Sequence, residues 1–313
     1  MLGRVANNLF WMARYLERLE NNARLIDAIF RLSLTNPTKG QEEWVSILKI
    51  TGSYDAYIDV YGEIDEKNVI DFMLRGKEND TNILQMNNFS RANTRTVRTE
   101  LTRQMWQSIN NMWITITPRL RRSVEHRNLT DLLDDIRAHT TLVRGALHGS
   151  MLRNDIFNFL RLGTYMERSG NTSRALVVKY NLLLPSASIA VEGMEDTHWE
   201  TILGLLSATR SYNWLNKGSF GSKQILDYLI KDMRIPRSLA YCYSEITGAL
   251  NDIEHEYGLK FPSGGSAERI SGLIDGLSID EIENEGLRAS IQKLISDTGT
   301  LNDLIEKDFN FNR

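Results

Sequence analysis

Residues 3–34 read GRVANNLFWMARYLERLENNARLIDAIFRLSL, and this stretch decides the fold class. Its apolar residues recur at alternating steps of four and three, at Val5, Leu9, Met12, Leu16, Leu19, Ala23, Ile26 and Phe30. That spacing places them along one stripe of an α-helix. The dipeptide Asn36-Pro37 ends the helix, because a residue before proline is pushed out of the helical conformation.

Helical signals continue through the rest of the chain, which has only five prolines in 313 residues. No segment shows the apolar-polar alternation of a half-buried strand. We therefore predict an all-α multi-helix bundle of about ten helices. The helices expected beyond the first lie near 41–50, 69–74, 82–97, 99–125, 129–148, 154–184, 196–216, 222–232, 236–258, 266–276, 278–285 and 287–309. Residues 51–64 have a mixed pattern with breaks at Gly52 and Gly62, and loops are expected at 186–195 and in the KFPSGGSA stretch from residue 260.

The composition of the chain indicates the cellular compartment in which we expect the protein. The chain is 42% hydrophobic and 25% charged, with a net charge of −3, although residues 251–313 hold 13 acidic residues against six basic ones. Cys242 is the single cysteine, which favours a reducing compartment. Charged residues interrupt the apolar runs near the N-terminus, and no run approaches the roughly 20 apolar residues of a membrane span. We therefore expect a bacterial, cytoplasmic protein.

One motif occurs twice, as YLERLENNARLI at 15–26 and as YMERSGNTSRAL at 165–176. Five positions agree between the copies: Tyr15 and Tyr165, Glu17 and Glu167, Arg18 and Arg168, Asn21 and Asn171, and Arg24 and Arg174. The spacing of the copies suggests one domain, 1–313, built from two diverged, pseudo-symmetric halves at 1–148 and 149–313.

The repeated motif predicts a polar face on each of two helices. Glu17, Asn21 and Arg24 lie at positions i, i+4 and i+7, so they share a face that borders the apolar stripe. In the second copy Glu167, Asn171 and Arg174 do the same. Two interpretations remain open, since such groups either form structural ion pairs that fix helix packing or bind a carboxylate or phosphate.

A third polar helix carries SRANTRTVR at 90–98. Arg91, Arg95 and Arg98 share one face, with Asn93 beside them, and they repel one another unless carboxylates or a bound anion face them. Glu17 and Glu167 are candidate partners. A further anion seat is expected at Arg237-Ser238, which follow Pro236 at a predicted helix N-terminus.

Taken together, these motifs resemble the bacterial alpha-E domain family. The resemblance rests on Tyr15 to Arg18, Tyr165 to Arg168, residues 90–98 with Trp106 and Asn110, and Pro236 to Ser238, and it spans essentially the whole chain. It implies a wholly helical protein without an established activity. It also implies an association with circularly permuted ATP-grasp ligases and transglutaminase-like proteases. The third motif of the family usually reads Ala-Arg-Glu-Asn-Ala-Arg, whereas here Ala92 replaces the glutamate and Thr94 the second alanine.

Several chemistries lack a sequence signature. The chain has no phosphate-binding loop, no dinucleotide fingerprint and no nucleophile elbow, and its five histidines show no metal-ligand spacing. We expect no metal, no cofactor and no nucleic-acid partner. The leading hypothesis is a helical accessory protein that binds an ATP-grasp ligase, a transglutaminase-like protein or a peptide product. The alternatives are an enzyme using Glu17 or Glu167 as acid or base, and a pure scaffold.

Overall fold

The computed structural model describes residues 1–183, 194–216, 221–279 and 287–311. Within these ranges the chain forms α-helices and one short 3₁₀ turn at Arg98–Glu100, and it contains no strand. The fourteen α-helices are α1 (Gly3–Thr35), α2 (Pro37–Thr51), α3 (Tyr54–Tyr61), α4 (Glu66–Arg75), α5 (Ile83–Thr96), α6 (Arg103–Leu120), α7 (His126–Ser150), α8 (Asp155–Leu183), α9 (Met194–Leu205), α10 (Thr209–Asn216), α11 (Ser222–Ile230), α12 (Leu239–Tyr257), α13 (Pro262–Gly276) and α14 (Leu287–Asp308).

The all-α prediction is confirmed, although the described helices outnumber the expected ten. The stretch 51–64 contains the short helix α3, because its two glycines flank the helix with positive φ angles of 70° at Gly52 and 75° at Gly62. The single helix expected at 196–216 is divided into α9 and α10 at Ser207, whose φ is 52°. The helix expected at 278–285 and the loop expected at 186–195 fall mostly outside the described residues.

Three predicted helix starts are wrong. Helix α7 begins at His126, three residues before the predicted start at residue 129. Helix α12 begins at Leu239 rather than at Pro236. Helix α13 begins at Pro262, four residues before the predicted start, since proline fits the first helical turn.

The early start of α13 depends on a glycine and a buried carboxylate. Glu254, on α12, is 5% exposed and accepts the backbone N–H of Phe261 at 2.8 Å. A β-carbon at Gly264 would lie 2.3 Å from Glu254 Oε1. Only glycine therefore lets the first turn of α13 approach this carboxylate, which is a good acceptor at a helix N-terminus.

The chain divides into two compact units, and the boundary lies within α8. The first unit comprises residues 1–164 and 309–313, and the second comprises residues 165–308. The interpretation as one domain with halves at 1–148 and 149–313 stays a prediction. None of the helices in the described ranges is long and apolar enough to cross a membrane.

Helix α1 is the central element of the first unit. It contacts α2, α5 and α7, so 18 of its 33 residues are buried instead of one stripe alone. Gly163 of α8 lies against its backbone, where a β-carbon would be 2.2 Å from the Phe10 carbonyl oxygen. At its N-terminal end the rings of Phe10 and Phe311 lie 5.5 Å apart, so the last described residues complete this core.

The second unit is built around α12. This helix contacts α11 and α13, and α13 contacts α14. Tyr243 of α12 is fully buried, and its hydroxyl lies 2.5 Å from the hydroxyl of Thr298 on α14. At the other end of α14 the Asp308 carboxylate accepts the backbone N–H of Ser263 at 2.8 Å. Backbone N–H groups at the start of α13 thus already have carboxylate partners within the unit.

Candidate functional site

The first copy of the repeated motif lies on α1 in the first unit. Glu17 and Asn21 are both buried, at 3% exposure, and Arg18 is half-buried. Arg24, however, turns to Glu20: its Nε and Nη2 donate to Glu20 Oε1 at 2.9 Å and 2.6 Å. The predicted row of Glu17, Asn21 and Arg24 shares a helix face, but the guanidinium binds a carboxylate outside that row.

Glu20 belongs to a series of ion pairs between α1 and α7. Arg144 of α7 also binds Glu20, which is only 1% exposed. Seven residues further along α1, Asp27 accepts Arg31 at 2.9 Å and Arg137 of α7 at 3.1 Å. Two buried carboxylates are thus each held by one arginine of their own helix and one of α7.

Sequence reasoning missed this series, although a signal was present. Glu20 and Asp27 are seven residues apart and each precedes an arginine by four residues, while Arg137 and Arg144 are also seven residues apart. Matching intervals of seven on two helices bring side chains together along a shared seam.

In the second unit the other copy of the motif holds together as predicted. Glu167, on α8, is 1% exposed, and Arg174 Nη2 lies 3.5 Å from its Oε1. The same Nη2 donates to Asn171 Oδ1 at 2.6 Å. No acceptor in the described part of the chain binds the amide nitrogen of Asn171, although this residue is only 3% exposed.

One substitution between the copies explains their different geometry. The position that holds Glu20 in α1 holds Gly170 in α8. Without a carboxylate four residues before it, Arg174 extends over Gly170 toward Asn171 and Glu167, and a β-carbon at Gly170 would lie 3.1 Å from Arg174 Nη1. The Arg174 side chain stays 38% exposed.

The turn before α12 is anchored to α8. Arg168 Nη1 donates to the Pro236 carbonyl at 3.3 Å, and the Thr172 hydroxyl donates to the Arg237 carbonyl at 2.8 Å. Ser238 is fully buried and caps α12 by accepting the N–H of Tyr241 at 3.1 Å. The side chain of Arg237 is half-buried. At the expected anion seat the Ser238 side chain therefore already binds a backbone N–H of α12. Two carbonyls of the same turn accept hydrogen bonds from α8, and these bonds hold the turn against that helix.

Tyr165 opens the second copy and lies in a dry environment. Burial is the main cause that raises the pKa of its hydroxyl above the ordinary value. The guanidinium of Arg168 lies 5.1 Å from the centre of its ring and partly opposes that rise. The ring of Tyr241 lies 5.8 Å away. The motif tyrosine is therefore a neutral packing residue at ordinary pH.

The arginines of the SRANTRTVR stretch belong to the first unit, where they lie on α5 and on the 3₁₀ turn that follows it. This row of arginines faces indole rings of α6. The guanidinium of Arg91 is 3.9 Å from the centre of the Trp113 ring, and that of Arg98 is 4.8 Å from the Trp106 ring. Arg91 Nε also donates to Asn110 Oδ1 at 3.1 Å. Sequence reasoning did not foresee that aromatic rings would face this row.

Within the described part of the first unit, Arg91, Arg95 and Arg98 form no ion pair with a carboxylate, and the candidate partner Glu17 is among those that they do not contact. Arg95 is exposed and Asn93 is half-buried. Ala92, which stands where the resemblance implies a glutamate, is exposed on α5.

Comparison with known proteins agrees with this architecture. A family model described as a predicted alpha-helical domain with a conserved ER motif matches residues 1–309. An uncharacterised protein of Mycobacterium bovis is 21% identical over 330 aligned positions, and two uncharacterised proteins of Mycobacterium tuberculosis match equally well. The alignments cover 94% of this chain and 35% of each relative, so the chain spans about a third of their length.

No solved structure matches the chain. The family match covers nearly the whole sequence, and it includes the Glu-Arg pairs at residues 17–18 and 167–168, each on a long helix. This chain belongs to the alpha-E family of helical domains.

Proposed function

We propose that the chain is a non-catalytic accessory protein whose helix α8 binds an anionic group of a peptide. The observation that carries the proposal is the unpartnered amide nitrogen of Asn171, buried beside a guanidinium that reaches the surface. A buried donor without a partner costs about 1–3 kcal/mol. A carboxylate or phosphate that accepts this N–H would remove that cost.

The neighbouring charges fit an anion. Arg174 offers a planar guanidinium that recognises carboxylates and phosphates through paired N–H groups. Arg168, three residues before Asn171, adds a second positive charge in the middle of α8. Glu167 is bound to Arg174 and holds the guanidinium against the helix, so the side chain is already oriented before a ligand arrives.

The partner class comes from the family resemblance. That resemblance implies an association with ATP-grasp ligases, and under this proposal the ligase supplies the ATP-dependent chemistry. An ATP-grasp ligase joins carboxylates to amines, and a transglutaminase-like protein acts on peptide side chains. In either case the substrate or product carries the kind of anionic group that α8 is proposed to hold.

Nuclear magnetic resonance of the side-chain amides tests the site directly. The protein labelled with nitrogen-15 is titrated with N-acetylglutamate in one arm and with inorganic phosphate in the other. The Asn171 amide signal, assigned by its loss in Asn171→Asp, should shift on saturation, and the arm with the larger response identifies the anion.

The repeat supplies a comparator. The signal of Arg174 Nε, which is present in every variant, provides the readout for the comparison. Asn171→Asp replaces the amide donor with an acceptor and should abolish the response of this signal to the anions. Asn21→Asp makes the same change in α1, where Arg24 is bound to Glu20, and should leave the response intact. If the Asn171 signal stays unmoved by both anions, or if both variants respond alike, α8 is not an anion site.

A scaffold role is the second candidate, and the ion pairs of α1 favour it for the first copy of the motif. There Glu20 and Asp27 are buried and bound by arginines from two helices, as expected for groups that fix helix packing. Under this interpretation the motif on α1 contributes only to stability.

A further inference from the structure

We propose that the first unit docks an acidic segment of another polypeptide on the face formed by Arg91, Arg95 and Arg98 of α5 and its flanking 3₁₀ turn with Trp106 and Trp113 of α6. We refer to these five residues as the arginine–tryptophan face. It contains none of the α8 residues, so this inference is independent of the anion site proposed above.

The charge of this region is strongly one-sided. Between residues 83 and 118, which span α5 and most of α6, the chain has four arginines and a single acidic residue, Glu100. Like charges three or four residues apart on a helix destabilise it by about 0.2–0.5 kcal/mol per pair. The row therefore carries repulsion that carboxylates from outside the chain would relieve.

Several other arginines of the first unit differ from the α5 row because they form ion pairs with carboxylates. Each of a second group pairs with an aspartate or glutamate, and its members are Arg24, Arg31, Arg75, Arg119, Arg137 and Arg144. Not every arginine of the unit is paired, since Arg103, Arg121 and Arg122 also have no carboxylate partner in its described part. In the α5 row, however, two of the unpaired arginines lie over indole rings, so carboxylates of another molecule can pair with guanidinium groups that are already held in place.

Stacking prepares these arginines for binding. A guanidinium that lies over an indole ring is held by a cation–π interaction worth about 0.5–1 kcal/mol at an exposed site. Arg91 is fixed further by its Nε bond to Asn110, which leaves its two terminal nitrogens available. A stacked arginine loses less side-chain freedom when it binds a ligand. Carboxylates would therefore bind to these arginines more tightly than to arginines that have no such support.

The spacing of the row sets the shape of the segment. Arg91 and Arg98 are seven residues apart, or about 10 Å along a helix axis. An acidic helix with carboxylates at i, i+4 and i+7 matches this span. An extended strand covers the same distance in about three residues.

The aromatic rings favour a polypeptide over single-stranded nucleic acid. Nucleic-acid sites of this composition use open aromatic faces on which successive bases stack. Here each indole is half-buried and has a guanidinium of the same chain on one face. The groups left for a ligand are mainly the N–H edges of the guanidinium, which match carboxylates.

Fluorescence anisotropy with a labelled decaglutamate peptide tests the face. Replacing Arg91, Arg95 and Arg98 with glutamine should weaken binding at least about tenfold. The matched control replaces Arg121, Arg122 and Arg127 with glutamine, which removes the same charge from exposed positions. Arg121 is eight residues beyond Trp113, about 12 Å along α6, so screening at physiological salt should limit its effect to less than about threefold.

Two further variants separate geometry from net charge. Trp113→Leu keeps every charge but removes the ring beneath Arg91, and it should weaken the peptide several-fold. Arg95→Glu reverses one exposed charge without touching the core, so it reports on the face even if the triple variant fails to fold. Equal losses in the two triple variants would show nonspecific attraction and overturn the proposal. Tighter binding of a short oligothymidylate than of decaglutamate would also overturn it.

Discussion

The buried carboxylate of Glu20 offers a sharp test of whether the first motif stabilises the fold. Arg144→Gln removes the contact from α7 but leaves both bonds from Arg24. A hydrogen bond to a charged group contributes about 1.5–3 kcal/mol, so we expect a loss of this size in the free energy of unfolding. Removing Arg24 as well takes a second guanidinium from a carboxylate that is 1% exposed, and the loss should increase toward about 3–5 kcal/mol.

Guanidinium chloride denaturation followed by circular dichroism measures these losses in a double-mutant cycle. The second mutation is Glu20→Gln, which removes the charge and keeps a similar shape. In that background the penalty of Arg144→Gln should fall below about 1 kcal/mol, because the amide needs no second cation. Arg137→Gln is the control, since it acts on Asp27, about 10 Å away along α1.

The cycle can contradict the reasoning in two ways. If Arg144→Gln has the same effect with and without Glu20→Gln, the coupling between them is zero and the contact contributes nothing. If Arg137→Gln instead couples to Glu20→Gln by more than about 0.5 kcal/mol, the two carboxylates are not independent sites. In either case the scaffold role of α1 loses its support.

Two further predictions concern packing and pH. Gly163→Ala should destabilise the first unit by about 1–3 kcal/mol in the same denaturation assay, since the new carbon would collide with the Phe10 carbonyl, whereas Gly145→Ala on α7 meets nothing within 4 Å and should be neutral or stabilising. Equal effects would remove the argument for close helix contact. Burial raises the pKa of the Tyr165 hydroxyl, so above about pH 10 only the unfolded chain releases this proton and stability present at lower pH is lost. Tyr165→Phe should therefore gain up to about 1.4 kcal/mol per pH unit on the wild type, measured from about pH 9 to pH 11, and parallel pH profiles would contradict this.

The helices could be predicted from the sequence because their signals are local. The apolar stripe of α1 predicted a helix, and seven of the eight stripe residues are buried. The dipeptide Asn36-Pro37 predicted the end of this helix, which lies at Thr35. What the stripe could not reveal is how many neighbours surround the helix. Contacts with α2, α5 and α7 bury polar positions outside the stripe, including Glu20 and Asp27, and the ion pairs with α7 join residues more than 100 positions apart.

The candidate site was predictable in part for the same reason. The row of Glu167, Asn171 and Arg174 lies within two helical turns, so its spacing determines its geometry. The indole rings facing the α5 row come from a separate helix, and nothing in the interval between Arg91 and Trp113 identifies the pair in advance. Local patterns thus predict which groups share a face, while packing decides what they meet.

The two copies of the motif show how one residue changes the chemistry of a shared pattern. Both place a glutamate, an asparagine and an arginine at the same intervals. In α1 the carboxylate of Glu20 lies one turn before the arginine and binds it. In α8 Gly170 supplies neither a competing charge nor a side chain in the way, so the guanidinium reaches the asparagine and leaves its amide without an acceptor. A duplicated pattern can therefore become a packing element on one helix and a candidate binding site on the other without any change in its defining residues.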